Sequence, residues 1–161
     1  MLLREVNEPN GTCRWCELTE DEKKYLLFET VYWRVYLADK QDYIGRCVLV
    51  LARHCHSLSE LEQAEWIELK SVVDRLESAI TLSLGAAMFN WSCLMNDFYK
   101  ADSPDPHLHI HVRPRYKAPV VINGKEYSDE EYGHHYDNHK PNRLTEAETE
   151  AVYRLVKEAL A

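Results

Sequence analysis

From Ser57 onward the hydrophobic pattern of this chain changes period, and that change limits the folds open to it. Leu58, Leu61, Leu69, Val72, Val73, Leu76, Ile80 and Leu84 recur at three- and four-residue steps, with Glu and Lys between them. Such spacing draws one apolar stripe along a long amphipathic helix. Ser57 with Glu60 matches a capping box at its start, and Gly85 suits its end. Before the helix the runs are short and rich in aromatic and β-branched residues. Residues 25–31, Trp33–Leu37 and Cys47–Leu51 read as strands, the last apolar throughout and therefore central and buried on both faces. Residues 88–95 and 108–112 read as two more. Asn123-Gly124 favours a tight hairpin between Val120–Ile122 and Lys125–Tyr127. Thr145 with Glu148 opens a final helix carrying Val152, Leu155, Val156 and Leu160. Short connections between strands, with the helices set apart, predict an α+β fold: an antiparallel five-stranded sheet with the long helix packed on it and a C-terminal helix.

The 161 residues, with few glycines and no low-complexity tract, predict a single domain. Acidic residues outnumber basic ones 27 to 19, a net charge of -8. An acidic surface repels phosphate backbones and anionic lipid, so no bulk nucleic-acid or membrane binding is expected, although a small phosphate ligand held by local groups is allowed. No apolar run is long enough to span a bilayer, and the first residues lack the apolar stretch of a signal peptide, so the expected location is cytoplasmic. In that setting the 5 cysteines are read as thiols rather than a disulfide framework.

The chemistry concentrates in Pro106-His107-Leu108-His109-Ile110-His111-Val112-Arg113-Pro114. On a strand, alternate residues share a face and stand about 6.6 Å apart. His107, His109 and His111 therefore line one face, with Leu108, Ile110 and Val112 turned to the core. The imidazoles are expected at a surface or cleft, where they could serve chemistry or chelate a metal. Arg113 and Arg115 continue that face, either adding positive charge or simply facing solvent. Cys13-Arg14-Trp15-Cys16 is a second candidate. By itself a C-x-x-C allows a redox pair, two unrelated thiols, or half of a zinc site that needs two further ligands. His134, His135 and His139 sit in a polar stretch and read as a solvated loop. Lys100, Trp91 and Tyr99 lie near Asn96, Trp91 fitting the core better than a ligand site.

The run His107-Leu108-His109-Ile110-His111-Val112 resembles the histidine-triad signature, in which histidines alternate with hydrophobic residues. Arg113 stands where the last hydrophobic residue would be. The resemblance spans residues 13–114, through a glycine-led strand from Gly45 to His54, the long helix, and Asn96 eleven residues before the triad. Residues 115–161 form a C-terminal extension with a hairpin and a helix. The resemblance implies a nucleotide phosphoanhydride or phosphoramidate hydrolase, or a nucleotidyl transferase, of the kind that includes dinucleoside polyphosphate hydrolases. In that chemistry His109 attacks the α-phosphorus to form a nucleotidyl-histidine, and His111 stabilises phosphate charge. Asn96, Ser103 and Arg113 are the implied substrate-binding residues. In a zinc-containing subset, and in the related galactose-1-phosphate uridylyltransferases, a cysteine pair is completed by two histidines. The implied structural zinc (Zn2+) ligands here are Cys13, Cys16, His54 and His107, with His56 a competitor for His54 by strand parity. Similar proteins pair as homodimers, and a homodimer is expected.

Several positions depart from the pattern. Gly45-Arg46 replaces Gly-His, and Ala52-Arg53 replaces Pro-Lys. Ser103-Pro104 stands where a Gln and a Ser or Thr bind phosphate. Proline has no N–H to donate, so the phosphate pocket is expected to be built differently. The alternative function is a zinc-stabilised nucleotide-binding module without meaningful turnover.

Overall fold

A computed structural model of the protein describes residues 13–100, 102, 104–137 and 139–161. Seven strands and two α-helices follow one another as β1 (Leu26–Glu29), β2 (Trp33–Leu37), β3 (Cys47–Leu51), α1 (Gln63–Leu84), β4 (Met88–Ser92), β5 (His109–Arg115), β6 (Val120–Ile122), β7 (Lys125–Tyr127) and α2 (Glu146–Ala159). Five strands form one antiparallel sheet in the order β1-β2-β3-β5-β4, and β6 and β7 form a separate hairpin. The fold is α+β, with the sheet, long helix and C-terminal helix read from the sequence.

Strand parity divides the sheet into two faces. Trp33, Val35, Leu37, Cys47, Leu49, Leu51, Leu108, Ile110 and Val112 join Leu69, Val72, Leu76 and Ile80 of α1 and Val152 and Val156 of α2 in the main core. Tyr36, Val48 and Val50 point the other way and pack with Cys13, Trp15 and Phe98. β3 is buried at every position because it is central and covered on both faces.

Several boundaries differ from the sequence reading, the end of β4 at Ser92 rather than Met95 among them. β1 stops at Glu29, because the chain must reverse by Trp33 to pair antiparallel, and the Thr30 N–H donates to the Trp33 carbonyl at 2.8 Å. The long α-helix begins at Gln63 rather than at Ser57. Leu58–Glu60 is a single 3-10 turn ended by extended Leu61, and Ser57 Oγ is spent on the side chains of Ser59 and Glu60. The Glu65 carboxylate instead accepts the Glu62 N–H at 2.7 Å, so the box stands five residues later than Ser57 suggests. β5 runs on through Pro114 to Arg115. Proline fits there because the ladder to β3 ends at Cys47↔Val112, while Pro114 is opposite Phe89 of β4. At α2 the capping box is present as read: Thr145 Oγ1 accepts the Glu148 N–H, and Glu148 accepts the Thr145 N–H. Asn123 and Gly124, both at positive φ, make the hairpin turn.

Candidate functional site

The end of β3 and the start of β5 are tied together outside the ladder. Leu51 N–H donates to the Leu108 carbonyl at 3.2 Å, and Leu108 N–H to the Cys55 carbonyl at 2.7 Å. Arg53 anchors the intervening turn on α1 through Glu65, at 2.6 and 2.9 Å. This brings His54 beside His107, 53 positions later in the chain. The N-terminal segment completes the group. Cys13 Sγ is 3.1 Å from His107 Nδ1, and Cys16 Sγ is 3.5 Å from Nδ1 of both His54 and His107.

All four ligand atoms lie within 4.8 Å of one another. Tetrahedral zinc bonds of ~2.0–2.3 Å place ligands roughly 3.3–3.8 Å apart, so these residues fit such an ion with little adjustment. The ring chemistry agrees. His107 Nε2–H donates to the Leu51 carbonyl at 2.8 Å, which leaves the Nδ1 lone pair facing the sulfurs. Burial pushes His107 down to about 4, so its ring is neutral. Burial and the neighbouring Cys13 raise the Cys16 thiol to about 11, a value that a bound cation would reverse. All five cysteines are free thiols.

His54 and His56 are not equivalent here. β3 ends at Leu51, so parity no longer governs residues 54 and 56. His54 turns Nδ1 to Cys16 and Nε2 to Asp105 at 2.9 Å, whereas His56 Nε2 faces His54 Nε2 and Asp105, at 3.1 and 3.4 Å.

Beyond His107, the face of β5 carries His109 opposite Val50, His111 between Val48 and Ser92, and Arg113 opposite Asn90. The triad imidazoles are buried, His109 to 1% exposure, not presented at the surface. The reason is a cover that periodicity does not reveal. Trp15 stacks on His109 with ring centroids 6.1 Å apart, and Phe98 lies at 5.7 Å. His109 Nδ1–H donates to the carbonyl of His107 at 2.9 Å. That tautomer puts the lone pair on Nε2.

Two guanidinium groups, those of Arg46 and Arg113, stand at the far end of the face. Arg46, opposite Arg113 one step past the β3–β5 ladder, holds Asp42 through Nη1 at 3.1 Å to both oxygens. Its Nη2 lies 3.4 Å from His111 Nδ1. A guanidinium only donates, so His111 accepts at Nδ1 and presents Nε2–H as a neutral donor. The loop leading to Arg46 is held by buried Gln41, which accepts the Gly45 N–H at 2.7 Å and donates to the Ala38 and Arg46 carbonyls. Gly45 sits at φ +77, and a Cβ there would stand 2.8 Å from Leu84 Cδ1 and 3.2 Å from Tyr116 Oη, so a larger residue would strain the turn.

Residues from the C-terminal third of the chain close this end. Buried Arg115 is not solvent-facing: it pairs with Asp129 at 2.7 Å and donates to Asn90 Oδ1 and to the carbonyls of Glu131 and His134. Arg113, also buried, stacks on Tyr136 at 4.3 Å. Asn142 and Arg143 bond the backbone of Gln41. His134, His135 and His139 are exposed, and no metal-ligand group among the described residues includes them.

Of the remaining implied residues, Asn96 is exposed on the turn that carries Phe98, and Ser103 lies outside the described residues. Lys100 pairs with Asp97, and Trp91 packs against the main core with Nε1 donating to Glu77. Trp15, Phe98 and Tyr136 were not singled out from the sequence. Trp15 alone had a local signal, since it lies between two potential ligands of one metal.

No family model matches the sequence, and no curated protein matches it. Solved structures do match. The chain is similar to a hypothetical histidine triad nucleotide-binding protein from Sulfolobus tokodaii strain 7, at 18% identity over 92% of this chain and 91% of that one, with a TM-score of 0.65. A uridylyltransferase matches at 19% identity and TM-score 0.68, over 94% of this chain but 46% of its own. A zinc-bound histidine triad family protein from Mycobacterium smegmatis matches at 19% identity and TM-score 0.55, over 84% and 83% of the two chains. The fold is therefore the histidine-triad fold, and the similarity takes in 92% of this chain. Among the described residues no helix is long and apolar enough to cross a membrane.

Proposed function

We propose that this chain is a nucleotide hydrolase or nucleotidyl transferase working through a covalent intermediate on His109. The observation that carries the reading is the bond from His109 Nδ1–H to the His107 carbonyl, which leaves Nε2 as the nucleophilic nitrogen. Attack of Nε2 on the α-phosphorus forms the N–P bond as the leaving group's bond to phosphorus breaks. The His107 carbonyl supports the imidazolium so formed. Water or another acceptor then attacks the same phosphorus and returns the lone pair to Nε2. His111 donates from Nε2–H to a phosphoryl oxygen. Asn96, Ser103 and Arg113 are proposed to contact substrate.

Zinc, when bound, supplies a structural cross-link and no reacting group. Cys13, Cys16, His54 and His107 would hold it, a set of the chemistry that structural sites use. The name of the Mycobacterium smegmatis neighbour, which is zinc-bound, supports this reading. The names of the uridylyltransferase and the nucleotide-binding protein support the nucleotide. The burial of His109 favours a second reading, a nucleotide-binding module without turnover.

Incubation with nucleotides labelled at the α-phosphorus separates the two. The enzyme reading expects an acid-labile protein-bound nucleotide in the wild type that is absent from His109→Ala. Nucleotide binding with no adduct and no turnover supports the binding module instead.

A further inference from the structure

His54 turns a different set of side chains to each edge of its ring. Its Nδ1 faces Cys16, while on the opposite edge Nε2 lies 3.1 Å from His56 Nε2 and 2.9 Å from Asp105 Oδ1. His56 Nε2 is 3.4 Å from the same carboxylate oxygen. Two imidazole nitrogens and a carboxylate oxygen thus converge beside the four-ligand group and share one ring with it. The backbone puts them there. Cys55 is buried, and its carbonyl accepts the Leu108 N–H at 2.7 Å, which holds the turn after β3 against the entry to β5. His54 and His56 flank Cys55, and Asp105 precedes Pro106 and His107 on the approach to β5.

Hydrogen bonding alone does not satisfy this trio. An ionised carboxylate only accepts, and each Nε2 carries at most one proton. Aiming a ring proton at Asp105 leaves the other ring with either a second N–H crowded against the first or a lone pair facing the oxygen. A cation at the centre meets all three lone pairs at once. Bonds of ~2.0–2.2 Å from a zinc-like ion to nitrogen or oxygen place neighbouring ligands about 2.8–3.6 Å apart, shortest at right angles and longest in a tetrahedron. The three distances fall within that range. Two imidazoles select first-row transition ions over magnesium or calcium, which prefer oxygen ligands. The trio is also open. The side chains of His54, His56 and Asp105 keep 31%, 52% and 45% of their exposure, so further coordination positions face solvent, in contrast to buried Cys13 and His107.

We propose that His54, His56 and Asp105 form a second metal site, for a divalent first-row transition ion bound through His54 Nε2, His56 Nε2 and Asp105 Oδ1. The site shares His54 with the structural-zinc reading and is independent of the His109 chemistry. Both ions are held together: the His54 ring bonds one through each nitrogen, and its Nε2 proton passes to solvent as the second ion binds. Water fills the open positions. With three protein ligands and solvent access, this is the weaker and more exchangeable of the two sites.

Equilibrium dialysis of the full chain, isolated with its zinc, against micromolar Ni2+ tests this, with both metals counted by elemental analysis. Nickel favours nitrogen and oxygen ligands and leaves the thiolates to zinc. The wild type should take up about one nickel per chain while keeping about one zinc. His56→Ala and Asp105→Asn change exposed side chains and should fold, as melting temperature will show. Each should weaken nickel binding at least about 10-fold, the least that even an outer-shell partner of a metal ligand contributes. His134→Ala, in the exposed loop, should bind nickel as the wild type does. No nickel uptake, or uptake equal in the wild type and both site variants, overturns the site. Nickel uptake matched by zinc loss also overturns it, since one ion then replaces the other. If the isolated protein holds no zinc yet binds nickel through His56 and Asp105, the structural-zinc reading fails and this site stands.

Discussion

His107 serves two neighbours at once: its ring nitrogen Nδ1 faces the two sulfurs, and its carbonyl accepts the His109 Nδ1–H. Its loss should therefore damage metal binding and the orientation of the nucleophile together. His54→Ala should bring zinc content well below about one per chain after brief chelator competition, and His56→Ala should leave it near one. Elemental analysis of both variants checks this. Equal zinc loss in the two would mean that His56 is a ligand. His111→Gln keeps a donor near the phosphoryl oxygens, so it should fold, retain zinc and slow adduct formation by about 10- to 1,000-fold, the range for one lost stabilising donor. A rate equal to that of the wild type in rapid-quench measurements would remove His111 from the chemistry.

At the scale of elements, α2 is fastened by one carboxylate. Glu148 accepts from Tyr127 Oη of β7 at 2.5 Å and from the backbone and hydroxyl of Thr145, both at 2.8 Å. Those bonds, Tyr127 foremost, pull its pKa from 4.5 to about 2. A depressed acid contributes stability that is complete above pH 4.5 and lost as the pH falls toward 2. Glu148→Gln should therefore melt lower than the wild type at pH 7, by a margin that holds down to about pH 5 and closes toward pH 2. Thermal melts across that range test it, and a margin unchanged at pH 2.5 would contradict the assignment. The same kind of box was misplaced at α1. Ser57 and Glu60 have the right spacing, but Glu65 is drawn inward by Arg53, so the helix starts where that pair can form.

Across the whole molecule, the metal-ligand group joins the N-terminal segment to the ends of β3 and β5, with Cys13 and His107 94 positions apart. A metal cross-link over that separation would constrain the chain far more than any local contact, and it would hold Trp15, between the two cysteines, against His109, on which it stacks. Metal removal by chelator should lower the melting temperature by on the order of 10 °C, as a loss of about 3 kcal/mol does in a domain of this size. It should also shift tryptophan emission to the red and slow adduct formation. An unchanged melting temperature on removal of bound zinc would show that the ion is not structural. The sheet ends at β4 on one side, and α1 exposes Trp66 and Ile67. We expect a two-fold homodimer, with a light-scattering mass twice 18.9 kDa at micromolar concentration. A mass of one chain would overturn it.

What the sequence determined by itself is local and periodic. The step of two placed His107, His109 and His111 on one face, and the three- and four-residue steps of Leu69 to Leu84 gave the long helix its buried stripe, because backbone geometry alone sets which side chains share a side. The resemblance of the triad pointed to Cys13, Cys16, His54 and His107 as candidate ligands, and the fold brings those four side chains together. Convergence of separate segments belonged to the tertiary structure. Trp15 and Phe98 cover His109, Arg53 and Asp105 steer His54 rather than His56 toward the cysteines, Asp129 draws Arg115 inside, and Arg46 comes to rest beside Arg113. Each depends on partners from other elements. Whether a buried charge is tolerated is decided by what packs around it, which no spacing along the chain encodes.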